Sequence, residues 1–126
     1  MITLDIEQAG IADVLARADR LADNVQRDVQ AVVDRYAALI AREAKGFAPV
    51  DEGDLRSTIR PLIERFAAQV IAGGIPGDSG ALVDYADVVE LGQLSNPNYP
   101  AQPYLGPAFE THRAAFVRDL REAAAP

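Results

Sequence analysis

Ile2, Leu4 and Ile6 alternate with Thr3 and Asp5, the period of two that puts every second side chain on one face of a half-buried strand. From Gln8 to Lys45 the period changes. Ile11, Leu15, Ala18, Ala22, Val25, Val29, Val32, Tyr36 and Ile40 recur at spacings of three or four, tracing one stripe along a helix. A continuous helix over those 38 residues would run about 57 Å, whereas a compact domain of this length is only about 36 Å across. The stripe must therefore break, or overhang onto another subunit. Asp23-Asn24-Val25-Gln26 has the form of a helix start, with a capping carboxylate and Gln at the third helical position, so a kink or break is expected near residue 23.

Gly46 followed by Pro49 predicts the end of this helix, Gly as a left-handed cap and Pro because it cannot continue the ladder. Residues 47–56 then read as a turn. The run TIRPLIERFAAQVIAG from Thr58 to Gly73 predicts a small antiparallel hairpin, with Pro61 confining its first strand to an edge or a bulge. GGIPGDSG at 73–80 predicts a flexible loop. A short helix follows at about 84–91, with Tyr85, Val88 and Val89 on one face and Asp84, Asp87 and Glu90 on the other. Four prolines between Asn96 and Pro107 fix extended backbone, and residues 94–107 read as an arm or tether. After them Leu105, Phe109, Phe116, Leu120 and Ala124 trace a closing amphipathic helix. The pattern predicts an α+β fold in one domain over residues 1–126, with a long N-terminal helix, a small antiparallel sheet, a short helix and a C-terminal helix.

Composition narrows the chemistry. The 126 residues contain no cysteine and one histidine, so thiol nucleophiles and Cys-based zinc sites are excluded. Acid–base catalysis would rest on His112 or on retuned carboxylates. Twelve basic against nineteen acidic side chains give a net charge of −7, opposite to the footprint that phosphate contacts require, so neither tight duplex binding nor sequence-specific nucleic-acid recognition is expected. Most of the excess lies in the middle: residues 51–90 hold three basic and eight acidic side chains, whereas residues 91–126 are balanced. No apolar run approaches a membrane span, and MITLDIEQ lacks the features of a signal peptide.

The candidate motifs each have a plainer reading. GGIPGDSG lacks the Lys-Ser/Thr of a phosphate loop, and Asp78 would repel an anion. Asp51, Glu52 and Asp54 lack the spacing and distal Glu of a calcium loop, and read as a solvated turn with a capping carboxylate. Asp84, Asp87 and Glu90 drift around their helix and read as a wet face. His112 falls on the apolar stripe of the last helix, where a packed, hydrogen-bonded ring is expected rather than a base. Ser57, Ser79 and Ser95 sit in no nucleophile elbow. No catalytic, metal or cofactor residue is assigned.

Three blocks in order resemble a family of small morphogenesis proteins of long-tailed bacteriophages, its tail-component, neck or tail-completion proteins. APVDEGDLRSTI at 48–59 is similar to the family's Ala-Pro-Val, acidic, Leu-Arg, Ser-Ile block, with Glu52 in place of threonine and Thr58 in place of serine. YADVVELG at 85–92 resembles its Tyr-Ala, Val-Glu, aromatic-Gly helix, with Leu91 in place of the aromatic. PAQPYLGPA at 100–108 resembles its Pro-Ala-Gln-Pro, aromatic-Leu, Pro-Ala box, with Gly106 where a basic residue is common.

The resemblance implies a non-enzymatic structural protein of the virion's head-to-tail junction, assembled in the bacterial host cytoplasm. Its partners would be copies of itself in a ring and neighbouring head-tail proteins. A prolyl arm loses little conformational entropy on docking, so Tyr99, Pro100, Gln102, Pro103, Tyr104 and Leu105 are the expected subunit or partner contacts, with the tyrosines as anchors. An arm packed on its own domain is the competing expectation. Asp84, Asp87 and Glu90 would face a lumen whose like charge lets DNA slide. Two other readings stay open, a monomeric adaptor docking a partner through the arm and a small hydrolase using His112.

Overall fold

A computed structural model describes residues 1–49, 53–93 and 97–125. Among these the chain forms an α+β fold of three strands, β1 (Ile2–Asp5), β2 (Arg60–Glu64) and β3 (Ala67–Ala72), and five helices. The helices are α1 (Ala12–Arg17), α2 (Asp23–Phe47), α3 (Gly53–Thr58), α4 (Ala86–Leu91) and α5 (Leu105–Ala124).

The expected break is present, two residues ahead of Asp23. Between α1 and α2 a 3-10 turn over Ala18–Arg20 leads into extended backbone at Leu21 and Ala22. The side chain of Gln26 holds the bend, its Nε2 donating to the carbonyls of Leu21 at 2.8 Å and Asp19 at 3.1 Å. These are carbonyls that an unbroken helix would have satisfied internally. Asp23 is not the cap; Ala22 occupies that position without a side-chain hydrogen bond, and Asp23 lies in the first turn, where its charge complements the helix dipole.

The buried seam of α2 runs through Val29, Val33, Tyr36, Ala37, Ile40, Ala41 and Ala44, so Val33 rather than Val32 lies at its centre. It packs on Leu105, Ala108, Phe109, Phe116 and Leu120 of α5. The rings of Tyr36 and Phe116 meet at 5.1 Å between centroids. Gly46 does not cap α2. The helix passes through it to Phe47, and Ala48 turns extended with φ −61° and ψ 142°, the conformation that a following proline imposes.

The sheet is antiparallel in the order β1-β3-β2, with Leu4 opposite Val70 and Leu62 opposite Gln69. Pro61 lies on an edge strand as expected, where its missing N–H breaks no ladder. The hairpin turns at Arg65 and Phe66, the latter at φ 56°. Gln30 of α2 supports that left-handed residue by accepting its N–H at 2.8 Å while donating to the carbonyl of Glu64 at 3.2 Å.

Two loops differ from expectation. The turn over 47–56 contains a helix, since α3 begins at Gly53 and buries Leu55; Val50, Asp51 and Glu52 lie outside the described residues. GGIPGDSG is no loose loop. Pro76 pairs with Leu82, Gly74 donates to the carbonyl of Val83 at 2.8 Å and Gly77 to that of Ala81 at 2.8 Å, making a two-stranded finger. Its tip is held to α3 by Asp54, which accepts the N–H of Ser79 at 2.9 Å and the Ser79 hydroxyl as well. Gly77 passes so close that a Cβ there would lie 2.5 Å from that of Asp54.

Candidate assembly surface

The proline-rich arm closes on its own domain at both ends. Gln93 donates its N–H to the carbonyl of Tyr99 at 3.0 Å, and Gln102 donates to the carbonyl of Val89 at 2.8 Å. At the crossing point Gly92 adopts φ 73°, and a Cβ there would stand 2.7 Å from the amide nitrogen of Ala101, so only glycine lets arm and helix approach this closely. Residues 97–103 are exposed, and residues 94–96, the start of the expected arm, lie outside the described residues. Tyr99, Pro100, Gln102 and Pro103 therefore face solvent, Tyr99 with 58% of its surface free. Leu91, at the end of α4 beside this crossing, is exposed too.

Tyr104 and Leu105 are placed differently. Both are buried, and the Tyr104 hydroxyl donates to the carbonyl of Ala86 at 2.8 Å. Burial, followed by the charges of Glu90 and Asp87, pushes the Tyr104 phenol well above its usual range. Its ring anchors the arm to the protein's own core, which removes Tyr104 and Leu105 from the surface offered to a partner.

Glu90 is likewise committed within the fold. Its Oε1 accepts the amides of Tyr104 at 2.9 Å and Leu105 at 2.7 Å, and its Oε2 that of Gly106 at 3.2 Å. A helix leaves its first four amides without internal partners. Glu90 takes three of those of α5, and the fourth position is Pro107, which has no N–H. Of the expected acidic face, Asp84 and Asp87 remain exposed.

Two further polar clusters fix the scaffold. Thr58, the buried polar residue among those described, donates to the carbonyl of Leu55 at 2.7 Å and accepts the N–H of Gly73 at 2.8 Å, joining α3 to the end of β3. The hydroxyl that Thr58 carries in place of serine is thus retained in a turn-bonding role. Between α2 and α5, Asp119 accepts the Tyr36 hydroxyl, Arg35 at 2.9 Å and Arg118 at 3.1 Å. The Tyr36 bond comes first in holding the Asp119 carboxyl below the usual range, against partial burial, with Arg118 and Arg35 adding to it.

His112 packs edge-on to Tyr36, and its Nε2 stands 3.5 Å from Glu43 Oε1. No hydrogen bond forms there, so the ring is packed as expected but its buried Nε2 lacks the expected hydrogen bond among the described residues. Ser57 and Ser79 are occupied by the finger, Ser57 donating to the carbonyl of Asp54 and accepting the N–H of Asp78; Ser95 lies outside the described residues. Among the described residues no cluster of His, Asp or Glu could hold a metal ion, and no helix is long and apolar enough to cross a membrane.

Residues 12–92, well over half of the chain, match the family described as "Bacteriophage HK97-gp10, putative tail-component". The chain belongs to this HK97-gp10-like family of bacteriophage tail components. Comparison with curated proteins and with solved structures gave no significant match. The matched span runs from α1 to the glycine after α4, taking in two of the three blocks that carried the resemblance.

Proposed function

We propose that this protein is a non-enzymatic structural component of the head-to-tail junction, a neck, tail-completion or tail-terminator protein of the virion, put together in the host cytoplasm. It works as a ring of copies docked on neighbouring head-tail proteins. The family match over residues 12–92 carries this reading. Beside it, the arm displays Tyr99, Pro100, Gln102 and Pro103 on backbone already fixed at both ends, so contact with a neighbour costs little additional ordering. Tyr99 supplies large amphipathic area with few rotors, the usual character of an interface anchor. Asp87 contributes to the like-charged wall past which DNA would slide. No sequence-specific nucleic acid, membrane or cofactor enters this mechanism.

Native mass spectrometry on the purified chain tests it. A ring-sized species that Tyr99→Ala reduces to monomer is the expected result, and a lasting monomer at all concentrations overturns the ring. The second reading, a monomeric adaptor docking a partner through the arm, draws on the same backbone bonds, which display Tyr99 without help from another copy. A wild-type monomer that nevertheless binds a head-tail protein through Tyr99 would select it.

A further inference from the structure

At the bend between α1 and α2, Val14, Leu21, Ala22 and Val25 line a groove of about 460 Å³ closed on one side by Ala124 of α5. Arg17 and Arg20 stand on its rim. Arg20 has no partner among the described residues, and Arg17 bonds only the carbonyl of Asp13. The 73–83 finger carries the complementary features. Pro76 and Leu82 stand directly opposite each other, hence on one face; both are exposed, Leu82 with 61% of its surface free. Asp78 and Asp84 follow them by two residues each, and both carboxylates are exposed and unpaired among the described residues.

We propose that the finger of one copy seats Pro76 and Leu82 in the groove of the next, with Asp78 and Asp84 against Arg17 and Arg20. A finger cannot fill the groove of its own chain. Its base touches Ala86, whose carbonyl bonds Tyr104 at the start of α5, while the groove lies at Ala124, the other end of that helix. Twenty helical residues separate the two by about 30 Å. A surface at one end that fits a different surface at the other makes a head-to-tail contact, which closes into a ring when the rotation per copy allows. The docked face is preorganised, because Asp54 already holds the finger tip to α3. This proposal rests on the self-assembly reading and specifies which surfaces meet.

Reciprocal charge reversal tests it. R17E/R20E leaves an acidic finger facing an acidic groove, and D78R/D84R leaves a basic finger facing a basic groove, so in each case like charges oppose docking. All four positions are exposed, and thermal unfolding of each variant confirms that it folds. In sedimentation velocity each double variant is expected to weaken association by more than about tenfold. An equimolar mixture of the two, and the quadruple variant, are expected to restore the wild-type species. A wild-type oligomer that neither double variant weakens, or that the mixture and the quadruple variant both fail to restore, overturns the finger-in-groove contact while leaving self-assembly standing. A wild type that stays monomeric overturns both.

Discussion

Glu90 Oε1 accepts the amide of Leu105 at 2.7 Å, and through this bond a side chain of α4 supplies the cap that α5 lacks in its own sequence. Neighbouring bonds to Tyr104 and Gly106 complete the arrangement. Removing the carboxylate with Glu90→Ala orphans three amides at the base of the arm, and denaturant unfolding should show a loss of about 1–3 kcal/mol. Glu90→Gln keeps an acceptor but loses the charge at the helix N-terminus, a smaller cost of about 0.3–1 kcal/mol. Equal costs for the two variants would show that the charge carries the whole cap and that the retained acceptor contributes nothing.

Thr58 allows a cleaner separation of shape from hydrogen bonding. Val at this position matches its volume but orphans the buried N–H of Gly73 and deletes the donor to Leu55, so Thr58→Val should destabilise by about 1–3 kcal/mol. Thr58→Ser keeps both bonds and should cost less than Thr58→Val. If Ser proves the worse replacement, the methyl contact outweighs the hydroxyl and the turn-bonding role assigned to Thr58 is wrong.

The pH dependence of the finger follows from Asp54. Hydrogen bonds from the side chain and the backbone of Ser79 hold the Asp54 carboxyl below the usual carboxylate range, against a small opposing effect of desolvation. A carboxyl whose folded pKa lies below its unfolded value contributes stability that is present above the unfolded pKa and lost as pH falls through the folded one. The staple should therefore be intact at neutral pH, begin to weaken only below about pH 4, and open as pH falls through the lowered folded value. The protection of the Ser79 amide, its exchange rate relative to the intrinsic rate at each pH, should fall there, and Asp54→Asn should make that protection independent of pH between about 3 and 6. Asp119 is lowered too, by the Tyr36 hydroxyl first, so acid also loosens the α2–α5 pair; the Asp54→Asn comparison isolates the finger.

What could be read from the chain divides along the distance over which each feature is encoded. The α2 and α5 stripes, the hairpin and the edge position of Pro61 are local patterns, and they stand in the fold where periodicity and proline chemistry put them. That the stripe must break or overhang was legible from length, and the place of the break near residue 23 from the Asp23–Gln26 pattern. Its chemistry was not, because Gln26 bonds backward to Asp19 and Leu21 where a capping box would bond forward of the break. Tyr104 and Glu90 are the larger misses. A tyrosine among prolines reads as exposed, and an acid spaced three residues from two others reads as a wet face, since neither pattern contains the partner that packs on it.

One local signal did point to the Glu90 contact. With Pro107 inside the first turn of a helix, and Tyr104 in place of the usual Ser, Thr, Asp or Asn at its start, α5 has no capping side chain of its own and leaves its first amides open to an acceptor from elsewhere in the chain. The same logic recovers Tyr104, because Leu105 and Phe109 begin the apolar stripe one residue later and carry the end of the arm into the core. Ser79 and Asp54 had no comparable signal, being joined across 25 residues by the fold alone.

The start of α2 offers a stabilising change. Ala22 holds the N-cap position with φ −61° and ψ 151°, the extended geometry a capping side chain needs, yet it makes no side-chain bond. Serine there can accept an amide of the first turn and should stabilise by about 1 kcal/mol, raising the melting temperature by roughly 3–5 °C for a chain of this size. Ala22 also lines the groove at the bend. A hydroxyl turned toward the amides of α2 adds little bulk to the groove, so Ala22→Ser should raise thermal stability while leaving the sedimentation profile of the wild type unchanged. A lower melting temperature would mean that the first-turn amides are already satisfied by water, and that Gln26 alone sets the bend.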